Sequence, residues 1–280
     1  MNAIRAAVNE SLAAAVIDET SKKGLSAQRL QEAQFFIRAF FARLAAGDES
    51  LHTPAQWADL VIDLLEFIAC RQPGRASVRV VNPVSGHDGR SVVEVVTDDM
   101  PFLVDTVSMT LAADGPIHTV IHPVVKVTRD ADGRLQSLGD GNGQPESVMH
   151  FEIDRLADGE PQTALKVRIE AALDDVRLAV RDWAAMRDKA RAIAAELPSW
   201  PNAPDAAATA ESADFLRWLA DDNFTFLGYR EYEVRQSEGG KVLQSVDGSG
   251  LGILSCTERS LAPRSVATLG AHGAAPGAIE

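Results

Sequence analysis

The sequence predicts an α+β protein, a helical lead followed by a two-layer sandwich, and three observations carry that expectation. Residues up to about 70 place apolar side chains at helical spacing. From residue 76 onward, β-branched runs with period-two alternation take over. From residue 91 the two patterns interleave as strand, helix, strand, strand, long helix, strand. That βαββαβ order is the signature of a ferredoxin-like sandwich. The organisation expected is a helical segment over 1–72, the sandwich over 76–236, and over 237–280 the start of a further module or an irregular, truncated tail.

The elements follow in order. Residues 1–25 are Ala-rich and weakly patterned, which suggests a frayed helix or a disordered lead. From Ser26, the positions Leu30, Ala33, Ile37, Phe40, Phe41 and Leu44 recur at helical spacing, and Gly47 closes the pattern. Thr53-Pro54-Ala55-Gln56 reads as a capping box with proline in the first turn, opening a helix whose stripe is Trp57, Leu60, Val61, Leu64, Leu65 and Ile68. Strands are expected over 76–81 and 91–97, joined by a turn-rich connector at 82–89. A helix over 102–113 carries Leu103, Val104, Val107 and Leu111 on one face, and Gly115-Pro116 stops it. Residues 117–129 alternate as one strand, with Ile117, Thr119, Ile121, Val125 and Val127 on one face and His118, His122 and Lys126 on the other. Asp130-Ala131-Asp132-Gly133 is a hairpin turn, and 148–154 alternates again with Met149, Phe151 and Ile153 inward. Residues 162–197 form the longest periodic segment, with Ile169, Leu173, Val176, Val180, Trp183, Ala190 and Ile193 as its seam; Pro198, Pro201 and Pro204 end it. A short helix over 213–220 and a strand over 224–234 complete the pattern.

Composition narrows the function. The 280 residues are 46% hydrophobic and 24% charged, with a net charge of −13. An acidic surface argues against nucleic acid, whose phosphates need cations. No apolar run reaches the roughly 20 residues that span a bilayer, and residues 1–10 lack the apolar core of a secretory leader. Cys70 and Cys256 are isolated, without metal-ligand spacing, and read as reduced thiols in a cytoplasm.

The most informative stretch is Asp98-Asp99-Met100-Pro101-Phe102-Leu103-Val104-Asp105-Thr106-Val107, where a β-branched run breaks and a helix starts at once. Asp98 or Asp99 is placed to cap the free N–H groups of that helix, and Pro101 to fix φ in its first turn. This decapeptide, together with Val78-Arg79-Val80-Val81-Asn82-Pro83, Ile117-His118-Thr119-Val120-Ile121-His122-Pro123-Val124, Glu146-Ser147-Val148-Met149-His150-Phe151-Glu152-Ile153-Asp154 and the run from Arg217 to Arg230, resembles the N-terminal region of the large bacterial NAD-specific glutamate dehydrogenases. The resemblance extends from about residue 72 to Leu254 and ends beyond Cys256, where the chain turns Gly/Ala-rich; a truncated product, a frame-shifted reading frame and a deliberately shortened chain all fit that ending. It implies ACT-like regulatory modules, here spanning 76–236, that lie far upstream of the dehydrogenase domain. It also implies that the parent oxidoreductase, in amino-acid catabolism, turns L-glutamate and NAD into 2-oxoglutarate, ammonia and NADH. Ligand-binding ACT domains place glycine directly after the proline of the strand–helix turn. Here Phe102 stands there, and its bulk speaks against a simple amino-acid pocket.

No catalytic, cofactor-binding or metal residue is assigned to this chain; NAD belongs to the parent enzyme. Gly139-Asp140-Gly141-Asn142-Gly143 and Gly248-Ser249-Gly250-Leu251-Gly252 fail to complete the dinucleotide fingerprint and read as turns. His118, His122 and His150 are placed by parity opposite an Ile121/Phe151 core face, with His122 across from His150 and Glu152 on the same side. Two histidines and a carboxylate could ligate a divalent metal, against the simpler reading of a packed, hydrogen-bonded face. The candidate regulatory or interface residues are therefore Asp98, Asp99, Pro101, Phe102, His118, His122 and His150. The face carrying His118, Val120, His122, Val124, Val148 and His150 is too apolar for solvent, and the N-terminal helices are expected to cover it. Three functions compete: a non-catalytic regulatory or assembly region of a glutamate dehydrogenase, partnered by that enzyme's other domains and by self-association; a free-standing ACT-like amino-acid sensor; and an enzyme using the His/Glu face.

Overall fold

The computed structural model describes residues 2–83, 89–139, 141–201, 203, 205–237 and 240–256. Two compact units divide the chain, residues 1–174 and 175–280. Among the described residues no helix is long and apolar enough to cross a membrane.

The first unit opens with three helices, α1 (Asn2–Ser21), α2 (Ala27–Phe41) and α3 (Pro54–Ile68). The expected frayed lead is instead the regular helix α1. Alanine has the highest helix propensity, and α1 gains tertiary support by burying Ala13 and Val16 in the core of α2 and α3. Ser26 caps α2 by accepting from the Arg29 N–H. Thr53 and Gln56 form the expected capping box of α3. α2 stops at Phe41 rather than at Gly47, yet Leu44 beyond it is fully buried. Phe41 and Trp57 meet edge to face with ring centroids 5.3 Å apart, and the whole stripe of α3 is buried.

The sheet of this unit is antiparallel, built from β1 (Ser77–Val81), β2 (Ser91–Asp98), β3 (Ile117–Ile121), β4 (Val124–Arg129), β5 (Leu135–Gly139) and β6 (Gln144–Ile153) in the order β1-β2-β6-β4-β5, with β3 also paired to β6. Central β6 pairs with β2 through Glu94↔His150 and Val93↔Phe151. α4 (Leu103–Ala112) follows β2, and α5 (Glu160–Glu196) follows β6.

Three features depart from the sequence reading. The alternation over 117–129 is not one strand: His122-Pro123 interrupts it, and β3 and β4 pair with different stretches of β6. Proline lacks the N–H that the ladder needs, and its carbonyl accepts from Val148 N–H at 3.0 Å instead. The Asp130–Gly133 turn forms as expected but leads into β5, a strand the sequence reading lacks. Third, the strand expected over 224–234 does not close the sheet. β1, from before the βαβ unit, already pairs with the outer edge of β2, the place a closing βαββαβ strand would take. The ferredoxin-like sandwich is thus completed from its N-terminal side.

Both faces of the sheet are covered. Val96, Ile121, Val125, Val127 and Val148 belong to one core cluster with Phe36, Phe40, Trp57 and Leu64, so the N-terminal helices lie on this face. Val93, Val95, Met149 and Phe151 point the other way and are equally buried. Leu103, Val107 and Leu111 of α4 and Leu165 and Ile169 of α5 are buried as well, and an Arg168–Asp114 ion pair links the two segments.

The second unit contains the rest of α5, on which Val180 is half-buried rather than buried as expected, and α6 (Ala206–Trp218), capped by Asp205. Short ladders follow: β7 (Gly228–Tyr229) pairs with β10 (Leu251–Gly252), and β8 (Tyr232–Ser237) with β9 (Gly240–Ser245). In each glycine-rich run at least one glycine has a backbone reason. A Cβ at Gly143 would stand 2.5 Å from the Val127 carbonyl oxygen, and at Gly252, with φ +59°, 2.2 Å from that of Leu227.

Candidate functional site

The strand–helix turn does not cap α4 with aspartate. The residue at the helix N-cap is Phe102, in the left-handed region at φ 71° and ψ 2°, with no side-chain cap, and Pro101 precedes the helix instead of standing in its first turn. Both aspartates are drawn away by better partners. Asp98 Oδ1 lies 2.5 Å from Arg71 Nη2, and Asp99 accepts the Ser147 hydroxyl at 2.6 Å while its N–H bonds the Pro145 carbonyl. A charged hydrogen bond is stronger than a solvated cap, and capping loses. The Phe102 side chain is 48% exposed.

His122 Nε2 lies 3.0 Å from the same Ser147 oxygen. Aspartate, serine and histidine in a row suggest a nucleophile, but the proton accounting denies it. The Ser147 proton is committed to Asp99, so His122 donates its N–H to Oγ and cannot serve as the base. Ser147 is also fully buried. Burial pushes His122 below its ordinary value of 6.5; Asp99 opposes this and Arg43 adds to it. The trio is a polar clip between the turn and β6.

The register corrects the histidine face. Ile121 pairs with His150, and Val120 with Phe151, so Ile121 and Phe151 occupy opposite faces. His150 faces the helices, His122 turns to Ser147, and His118 sits near the surface with Nε2 2.7 Å from Asp154. The break at His122-Pro123 resets the parity that the sequence reading assumed. Among the described residues no cluster of three His, Cys, Asp or Glu could hold a metal ion.

What the face beneath α2 and α3 does hold is a layer of buried charge in two clusters. In the first, Glu146, 2% exposed, receives Arg71 Nη2 at 2.6 Å and both Nε and Nη2 of Arg129 at 2.8 Å. Arg71 follows α3 and also reaches Asp98; Arg129 Nη2 donates to the Ile68 carbonyl at the end of α3. In the second, His150 Nδ1 lies 3.2 Å from Glu94 and Nε2 3.9 Å from Glu152. Glu152 also takes His52 at 2.9 Å and Arg90 at 2.8 Å. Arg79 joins Glu94 to Asp63 on α3 and lies over the Phe67 ring at 4.7 Å. Phe40 of α2 and Trp57 of α3 close this cluster with ring edges against His150 and His52.

The electrostatics follow from this crowding. Burial alone would lower the pKa of His150, but the flanking Glu152 and Glu94 outweigh it and the net shift is upward. Burial would raise Glu94, and His150 with Arg79 reverses that, holding it below the usual carboxylate range. Asp48 is raised, by burial first and by Glu152 next. An unpaired buried charge costs several kcal/mol, so each of these groups depends on its partner. The sequence reading found Asp98, Asp99, Phe102 and His150 but missed Arg71, Arg129, Glu94, Glu146, Glu152 as a salt-bridge acceptor, and His52. The available signal was the presence of Glu94 inside an otherwise apolar β-run.

Comparison with known proteins agrees with this architecture. Residues 36–169 match the family described as glutamate dehydrogenase, ACT1 domain. A NAD-specific glutamate dehydrogenase of Halomonas elongata is 32% identical over 268 residues, which is 92% of this chain and 17% of that protein. A NAD-specific glutamate dehydrogenase of Pseudomonas aeruginosa is 34% identical over 234 residues, 78% of this chain and 14% of that protein. The chain spans less than a fifth of the length of these curated relatives.

Proposed function

We propose, taking residues 36–169 as the ACT1 domain of a glutamate dehydrogenase, that this chain is a non-catalytic regulatory and assembly segment of a NAD-specific glutamate dehydrogenase. One observation carries the reading: the relatives that share this segment devote more than four fifths of their length to something else. The polar groups at the strand–helix turn support it, because each is committed to a structural partner. Glutamate oxidation and NAD binding then belong to the remaining domains of the longer protein, which are the segment's partners, together with a second copy through the exposed sheet edges. Free, exposed Cys70 and Cys256 fit a reducing cytoplasm. A free-standing amino-acid sensor is the weaker reading, since Phe102 occupies the ligand's approach.

The test is made in a longer dehydrogenase that carries this segment, with Phe102→Ala and Arg71→Met as variants, and on the present chain alone. The chain should reduce no NAD with glutamate. The variants in the longer protein should change subunit assembly or effector response while glutamate turnover persists. Glutamate-dependent NADH formation by the chain, or variants that abolish turnover with assembly and effector response intact, would refute the assignment.

A further inference from the structure

A groove of about 750 Å³ runs between α1 and α2 on the outer side of the helical layer. Its lining includes the small or aliphatic Ala13 and Ile17, and three arginines, Arg5, Arg38 and Arg43, with one acid, Glu10. The clustering is notable in a chain of net charge −13. Elsewhere in this unit Arg71, Arg79, Arg90, Arg129 and Arg168 all sit on carboxylates. The three groove arginines have no carboxylate within ion-pair distance among the described residues. Arg5 is held in place by the Leu44 carbonyl, which accepts from its Nη2 at 2.5 Å and from Nε at 3.2 Å; Asn9, 6% exposed, donates to the same oxygen. Among the described residues Arg38 donates to the Gln34 carbonyl of its own helix.

The C-terminal dipole of α2 accounts for part of this charge. That dipole amounts to roughly half an elementary charge, and Glu10 contributes one more negative charge. Asp48, whose carboxyl feels Arg5, offsets one guanidinium more, and against three guanidiniums the groove keeps an excess of about half a positive charge, carried by Arg38 and Arg43. Its volume lies inside the roughly 300–1,000 Å³ range of small-molecule sites. We propose that the groove between α1 and α2 is a binding site for a small dianion, recognised by Arg5, Arg38 and Arg43. A phosphate monoester and a short dicarboxylate share that chemistry, and both match guanidinium geometry bidentately.

The full chain is tested by calorimetry and thermal unfolding with inorganic phosphate in one arm and succinate in the other, ionic strength being matched throughout with sodium chloride. A saturable transition in either arm is expected, and the arm that responds identifies the source of the dianion. Arg38→Gln/Arg43→Gln, both at exposed positions, should weaken binding about tenfold or more. Glu10→Gln should strengthen it several-fold, a gain that damage to the fold would not produce. The proposal is overturned if neither anion exceeds chloride, or if affinity is unchanged in both variants.

Discussion

Phe102 offers the sharpest test of the turn geometry. A side chain at φ 71° pays the left-handed penalty of roughly 1–2 kcal/mol that glycine escapes. Phe102 is 48% exposed, so about half of the roughly 1.5–3 kcal/mol available from burying a phenylalanine, near 1 kcal/mol, is realised. Replacing it with alanine removes the packing and keeps the strain, and the expected loss is about 1 kcal/mol. Glycine removes both, and the two effects nearly cancel. Phe102→Gly should therefore be more stable than Phe102→Ala by about 1 kcal/mol, reversing the usual order at a helix position, where glycine is roughly 0.5–1 kcal/mol the worse. Urea unfolding of the two variants side by side measures the difference, and in a unit of this size thermal midpoints should separate by roughly 2–4 °C. An alanine variant as stable as the glycine variant, or more so, would show that the turn is not left-handed at this residue. Titration of the glycine variant with L-glutamate, aspartate or branched-chain amino acids adds a functional arm. Binding that appears only in Phe102→Gly would mean that the phenyl ring fills an ACT-type ligand position; micromolar binding to the unaltered chain that Phe102→Gly abolishes would revive the sensor reading.

Phe151 is fully buried at the centre of the sheet, and Phe151→Ala should cost about 3–5 kcal/mol by chemical denaturation; a loss under about 1 kcal/mol would mean a collapsible site. Arg71→Met leaves Glu146 with Arg129 as its arginine partner and removes the ion pair to Asp98, and should cost about 3–5 kcal/mol, whereas Arg71→Met/Glu146→Leu should recover part of that loss; equal losses would deny the coupling. The pKa of His150 lies above its ordinary 6.5, so its stabilising contribution is complete below that value and is lost as pH rises through the folded-state value. Glu94 is lowered from 4.5, so its contribution is present above that and lost as pH falls through the folded value. Stability should thus decline on both sides of a plateau, and His150→Gln should flatten the alkaline limb; an unaltered alkaline limb would place the titration elsewhere.

The sequence made the element types legible wherever periodicity and local chemistry agree. The α3 capping box, the stripe from Trp57 to Ile68 and the Asp130–Gly133 turn are all local, and all are where their residues place them. The reading failed where a distant segment decides. Nothing local says that Arg71 will draw Asp98 away from the helix N-terminus, or that β1 will occupy the edge of β2 before residues 224–234 are reached. Parity counted through His122-Pro123 placed Ile121 and Phe151 on one face, and only the register against β6 separates them. The same limit hid the charge layer, because Glu94, Glu146 and Glu152 acquire their partners from other strands and from segments up to 100 residues away.

Why that layer is charged is a question of positioning more than of strength. Apolar side chains of similar volume would hold α2 and α3 on the sheet at least as well, since buried ion pairs barely repay their desolvation. Apolar contact is also tolerant of sliding, whereas these pairs are not. Arg79 must reach Glu94 on one side and Asp63 of α3 on the other, and Arg71 must lie between Glu146 and Asp98. A displacement of α3 along the sheet would pull Arg71 from Glu146 and disturb the pairs of Glu94 and Glu152 beside Phe40 and Trp57, at several kcal/mol for each carboxylate stranded. One alignment of the helical layer is therefore selected, and it fixes the strand–helix turn as well, because Arg71 is shared between the layer and Asp98. A change at the exposed Phe102 turn is thereby coupled through Asp98 and Arg71 to the packing of α3 on the sheet, a path suited to a segment whose proposed work is to transmit assembly or effector state to domains that carry out the chemistry.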